Sequence, residues 1–149
     1  RALARLFIKM SIGFSRNLFK ELQNMNCPCC SGKTHEHCCK PFHSGEKHAP
    51  TAEALMRSRF CAFAIPNGAY LMETTLPSKR KVHNKKDLQE WGEINEFTKL
   101  EIIKTPTSDQ VEFKAYYTDE DGKKQLHHEH SLFKNVNGRW YYVSGKFLD

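Results

Sequence analysis
Apolar positions along the chain change period once, near Phe97: before it they recur every three or four residues, and after it they alternate with polar ones. The first pattern predicts helices over 15–25 (Leu18, Leu22 and Met25, with Ser15 as cap), 52–64 (capped by Thr51, with Glu53 in the first turn) and 69–75. A further helix is capped by Asn84 and carries Leu88 and Trp91, with Asp87 and Glu90 near its start. The second pattern predicts strands over 97–104, 110–118, 124–134 and 139–146, rich in β-branched and aromatic residues and joined by the hairpin signals Asp121-Gly122 and Asn137-Gly138. In the second strand Val111, Phe113, Ala115 and Tyr117 share one face, opposite Glu112, Lys114 and Tyr116. Helices followed by an antiparallel meander make an α+β fold, with the helices packed on one face of a curved sheet.

Two stretches break the pattern. Residues 40–50 hold two Pro, a Gly and a Ser and read as a loop, so His43 and His48 are expected to face solvent. Residues 27–39 hold five of the six cysteines. A Cys-x-Cys pair, eight intervening residues and a Cys-Cys pair can bring four sulfurs to one point if the chain between them forms a tight knuckle, which is the chemistry of a structural zinc site. Gly32 supplies the turn and Pro28 sets the backbone between the first two sulfurs. Cys27, Cys29, Cys38 and Cys39 are therefore assigned as zinc ligands. Registers in which Cys30 replaces Cys29, or His37 one of the last pair, stay open. Disulfides are the competing use of these thiols, but they belong to secreted chains, and the early apolar run is broken by Lys9. Cys61, inside a helix and away from the cluster in sequence, reads as a small buried hydrophobe.

Composition adds charge asymmetry. The chain has 149 residues and a net charge of +6, split as +10 over residues 1–86 and −4 over residues 87–149. Lys79, Arg80, Lys81, Lys85 and Lys86 form the densest basic patch, which points to an anionic partner such as nucleic acid, a ribosome or an acidic protein surface. No stretch approaches the ~18–20 apolar residues of a membrane span, and the chain is expected in the cytoplasm. Residues 1–9, ahead of Met10, read as upstream sequence or as a transit peptide, since no acid precedes Glu21. The expected organisation is an N-terminal extension with a short helix (1–26), a zinc knuckle (27–48) and an α+β domain (49–149).

These residues resemble the YchJ-like family of small bacterial proteins. Cys27-Pro28-Cys29-Cys30-Ser31-Gly32-Lys33 through Cys38-Cys39 is similar to the SEC-C motif, named for the zinc-binding tail of the SecA translocation motor. Gly45-Glu46-Lys47, Ala49-Pro50 and Glu53 to Phe63 resemble the family's second signature. Glu129 to Phe133 and Asn137 to Gly145 resemble its third. The resemblance implies a cone of helices against a strongly bent antiparallel sheet, similar to nuclear transport factor 2 and cystatin-like in outline. It implies a fold rather than an activity. Cys30 stands where the motif has Gly, His130 and Leu132 where the family has arginines, and Ser144 where it has an acid.

Three functions follow as expectations. The first is a binding or adaptor module whose zinc knuckle docks a protein or ribonucleoprotein. The second is a small-molecule pocket or enzyme inside the cone, with Arg57, Arg59, Tyr70, His128, Glu129 and Tyr142 as candidate pocket residues. An Arg57 to Glu129 ion pair tying helix to sheet is the structural alternative. The third is nucleic-acid binding through the basic patch. His127, His128 and His130 do not make a second metal site, because strand alternation puts 128 and 130 on one face and 127 on the other.

Overall fold
The computed structural model describes residues 16–148. Residues 1–15, on which the expectations about Met10 and a transit peptide fall, lie outside the described residues. Among the described residues five helices precede four strands: α1 (Arg16–Gln23), α2 (Lys40–His43), α3 (Ala52–Ala64), α4 (Gly68–Glu73), α5 (Lys85–Ile94), β1 (Glu96–Lys104), β2 (Gln110–Thr118), β3 (Lys124–Val136) and β4 (Arg139–Phe147). Single 3-10 turns sit at His35–His37 and Pro77–Val82. Of the caps expected from the sequence, Ser15 lies outside the described residues and those at Thr51 and Asn84 form. Thr51 Oγ1 accepts from the Ala54 amide at 3.0 Å, and Asn84 Oδ1 accepts from the Lys86 and Asp87 amides.

The strands form one antiparallel sheet in the order β1-β2-β3-β4. Register shifts between Phe97 and Lys99, between Ile102 and Lys104, and between Leu132 and Phe133 mark irregularities that bend and twist the sheet. Its concave face carries Leu100, Val111, Phe113, Ala115 and Phe133 into the core. Tyr142 of β4 also exchanges backbone bonds with the segment after α4, donating to Thr74 O at 2.7 Å and accepting from Leu76 N at 2.8 Å.

Helix α3 is the centre of the molecule, because eight of its thirteen residues are buried. Side chains three and four apart share a helix face, and α3 uses three faces. Arg57 and Cys61, with Ile65 just beyond the helix, meet the knuckle. Ser58 and Ala62 meet α4 through Tyr70. Met56, Arg59, Phe60 and Phe63 turn toward the sheet and line a cavity. Complete burial of Phe60 and Leu55 contributes about 1.5–3 kcal/mol for each side chain relative to exposure. Close approach fixes the surrounding helices: a Cβ on Gly92 would meet Phe63 O at 2.9 Å, and one on Gly68 would meet Lys85 O at 2.5 Å.

Candidate metal centre and cone cavity
The knuckle folds through backbone bonds from Cys27 N to Lys33 O (2.9 Å) and from His35 N to Met25 O (2.8 Å). Gly32 takes φ +84°, the left-handed conformation the turn requires. Cys30 takes φ +62° beside it, a conformation that costs a side-chain-bearing residue about 1–2 kcal/mol. Its thiol is turned out of the cluster: Cys30 Sγ accepts from Leu100 N of β1 at 3.5 Å.

The sulfurs of Cys27, Cys29, Cys38 and Cys39 all lie within 4.8 Å of one another. Cys29 to Cys38 is 3.5 Å and Cys38 to Cys39 is 3.9 Å. A tetrahedron with metal–sulfur bonds of about 2.3 Å has edges of roughly 3.8 Å, so the donor set fits a thiophilic divalent cation. All six cysteines are free of disulfides. The crowded thiols do not titrate alike. The Cys27 thiol is driven far below its ordinary value, first by its hydrogen bond with Cys29, whereas Cys29 is pushed up to about 11, first by that same bond to Cys27. Cys39 is pushed up, again first by Cys27. A cluster that already favours one thiolate among thiols exchanges its protons for a metal ion on binding.

The surroundings tie this centre to the main domain. Cys27, Cys29 and Cys39 are buried, and Cys61 of α3 packs against them. His35 Nδ1 lies 3.6 Å from Cys27 Sγ and 3.8 Å from Cys61 Sγ. Arg57 Nη1 donates to Cys29 O at 2.8 Å, and His43 Nε2 donates to Ser58 O at 2.7 Å.

On the opposite side of α3, between helices and sheet, lies a cavity of about 380 Å³. Its walls are mainly aromatic, including Phe60, Phe63, Trp91, Phe97, Phe113 and Tyr117. The polar side chains that line it include Arg59, His83, His127, Glu129 and Tyr142. The Glu129 carboxylate accepts from His127 Nε2 at 2.9 Å, from Tyr142 OH at 3.3 Å and from Ser131 Oγ. Burial pushes this carboxyl up, but those hydrogen bonds and the His127 charge outweigh it and hold Glu129 below the ordinary carboxylate value. Gly145, opposite Ser131 in the β3–β4 register, leaves the space that the carboxylate fills; a Cβ there would overlap it.

Residues 51–145 match the family model described as YchJ, middle NTF2-like domain. The chain belongs to the YchJ-like family. It is 41% identical over 122 residues to a UPF0225 protein of Actinobacillus succinogenes, covering 78% of this chain and 79% of that protein. It is 42% identical over 125 residues to a UPF0225 protein of Corynebacterium glutamicum, covering 80% of this chain and 94% of the relative. The solution structure of a SEC-C motif containing protein from Rhodopseudomonas palustris superposes with a TM-score of 0.76 at 38% identity, over 84% of this chain and all of that one. A crystal structure of a SEC-C motif containing protein from Psychrobacter arcticus gives 0.71 at 30% identity, over 86% and 85%.

Within this YchJ-like frame the structure redistributes the candidate pocket residues. Arg59, Glu129 and Tyr142 line the cavity. Arg57 does not: helical geometry points it at the knuckle, and no Arg57–Glu129 pair forms. Tyr70 bonds Ser58 Oγ at 2.6 Å on the α4 side. His128, on the outer face of β3, lies 3.6 Å from Glu112. His43 is not a solvent-facing loop residue, because residues 40–43 form α2 and press its ring 4.5 Å from that of Tyr70. Cys61 is buried, but against the cluster rather than away from it. The basic patch is partly committed: Arg80 donates to Thr75 O and Glu73 O, and Lys86 lies 3.9 Å from Glu90, while Lys79, Lys81 and Lys85 are exposed. Sequence reasoning missed His35, His83 and His127; the available signal for His127 was its i, i+2 spacing from Glu129 on one strand face.

Proposed function
We propose that this protein is a zinc-braced small-molecule-binding protein of the cytoplasm. In this reading Cys27, Cys29, Cys38 and Cys39 hold a structural zinc, and the cavity of the cone receives the ligand. The observation that carries it is the cavity itself: an aromatic-walled space of about 380 Å³ lined by buried Arg59 and Glu129. That volume is at the lower end of the ~300–1,000 Å³ typical of small-ligand pockets, and convergent polar groups in an apolar pocket are the usual mark of a binding site. Four protein sulfurs leave a zinc ion no open position, so its part is to fasten the knuckle to α3, whose far side lines the cavity. Thiolate ligation suits a reducing compartment.

Screening a fragment library by ligand-observed NMR, and repeating it on Ala115→Phe, tests the pocket. Ala115 lines the cavity, and a phenyl group there fills part of it. Hits should lose binding in the variant; hits indifferent to it place the ligand elsewhere and refute the reading. A second reading is an adaptor that docks a protein or ribonucleoprotein partner, favoured by the +10 charge of residues 1–86. It predicts affinity that falls steeply with salt and disappears when Lys79, Lys81, Lys85 and Lys86 are neutralised.

A further inference from the structure
We propose that the ligand of the cavity is a compact aromatic or apolar carboxylic acid whose carboxylate is held by Arg59. The inference rests on the cavity reading above and specifies its occupant. Arg59 is only 7% exposed, and a guanidinium carries five N–H donors. Its hydrogen bonds to the described residues all leave from Nη1, to Leu71 O at 2.8 Å, Thr74 Oγ1 at 2.7 Å and Thr75 Oγ1 at 3.4 Å. Among the described residues, Nε and Nη2 meet no protein acceptor, and no carboxylate pairs with Arg59. The one sealed side-chain nitrogen without a partner among those residues is His128 Nε2, so the spare Arg59 nitrogens open on the cavity rather than into packed protein.

Nε and Nη2 form the side-on fork of a guanidinium, and two parallel N–H donors match the two oxygens of one carboxylate. The Tyr142 ring covers a face of the guanidinium, 4.5 Å from Cζ, which leaves the in-plane edge for the anion. Burial lowers Arg59 only to about 10, so it stays charged at neutral pH. Glu129 does not neutralise it directly, since both its oxygens are bonded by His127, Ser131 and Tyr142. Glu129 also sets the charge limit: a monoanion balances Arg59, whereas a phosphate dianion would bring an unmatched charge beside a buried carboxylate. His83, held neutral by burial and by the Arg59 charge, lines the same cavity. The body of the acid lies toward Phe63, Phe97 and Tyr117. Trp91 and Phe147, 45% and 72% exposed, stand where they can cover it.

The test is calorimetric titration of the full, metal-loaded chain with 2-naphthoate and with its uncharged analogue 2-naphthalenemethanol. The acid should bind about tenfold or more tighter, the worth of a charge-assisted pair of hydrogen bonds. In Arg59→Gln that preference should vanish while the alcohol binds as before. Should that variant not fold, the Arg59 Nε–Hε resonance of the wild-type protein should shift with naphthoate and not with the alcohol. Equal affinity for acid and alcohol overturns the inference and leaves the cavity reading standing. No binding by either overturns the inference and counts against the cavity reading too. A preference that survives in Arg59→Gln, or an Arg59 resonance unmoved by naphthoate, also overturns it.

Discussion

Two arginines on α3, two residues apart, have different fates. Arg57 is used by the protein itself, donating to Cys29 O at 2.8 Å and reaching Glu53 at 3.5 Å. Arg59 keeps Nε and Nη2 without a protein partner among the described residues and faces an aromatic cavity. The knuckle side of the helix thus closes on itself, as a brace does. The cavity side leaves donors open among aromatic walls, and that is an arrangement suited to a ligand.

The largest effect should come from opening the brace. Cys39→Ser removes a buried sulfur and should abolish the proposed metal binding, which in small zinc domains contributes on the order of 10 kcal/mol to folding. Even a fraction of that should lower stability by about 4 kcal/mol or more in urea unfolding, with metal loss read by elemental analysis. Retained metal at wild-type stability would break the comparison on the knuckle side.

On the cavity side, Gly145→Ala drives a methyl into the space of the Glu129 carboxylate and should cost about 3 kcal/mol, the range for breaking a buried, hydrogen-bonded charge. Glu129 also makes the cavity acid-sensitive. Its folded pKa is depressed, so its contribution is present above its unfolded value of about 4.3 and is lost as pH falls through the lower folded value. The stability difference between wild type and Glu129→Gln should therefore be constant near neutrality and shrink below about pH 4.3; a difference that grows in acid would reverse the assignment.

Smaller effects sharpen the contrast between the arginines. Arg57→Gln should cost roughly 1.5–3 kcal/mol through the lost charge-assisted bond to Cys29 O and leave naphthoate affinity unchanged. A change in that affinity would erase the distinction between the two faces. Cys30→Gly relieves a left-handed backbone, worth about 0.5–1 kcal/mol, but removes the Sγ that accepts from Leu100 N, so the urea midpoint should move little.

Much of this was legible in the sequence because it is local. Period, caps and hairpin signals specify α3, α5 and the four strands, and the density of five cysteines in thirteen residues announces the cluster. The turn alone calls for Gly32, whereas the left-handed backbone at Cys30 shows only through the resemblance, which places Gly there. What was not legible depends on how distant elements meet. Arg57 and Cys61 are one turn apart and share a face, but only the docking of the knuckle shows what that face touches. His43 sits among loop-forming residues, yet its ring is needed to reach Ser58 O across to α3. Arg59 is legible as a candidate pocket residue, but its burial is not, because α4 and the following threonines supply its acceptors. The spacing of Met56, Arg59, Phe60 and Phe63 marks the helix face that carries Arg59 to the cavity while Arg57 goes to the knuckle.

Hydrogen exchange before and after metal removal by a chelator tests most directly the claim that the knuckle braces the cavity domain. If it does, stripping the metal lowers protection beyond the knuckle, through α3 and at Leu100 of β1, the points where Arg57, Cys61 and Cys30 join the two parts. Loss of protection confined to residues 26–39, with α3 and β1 unchanged, would contradict it and make the knuckle a separate surface module.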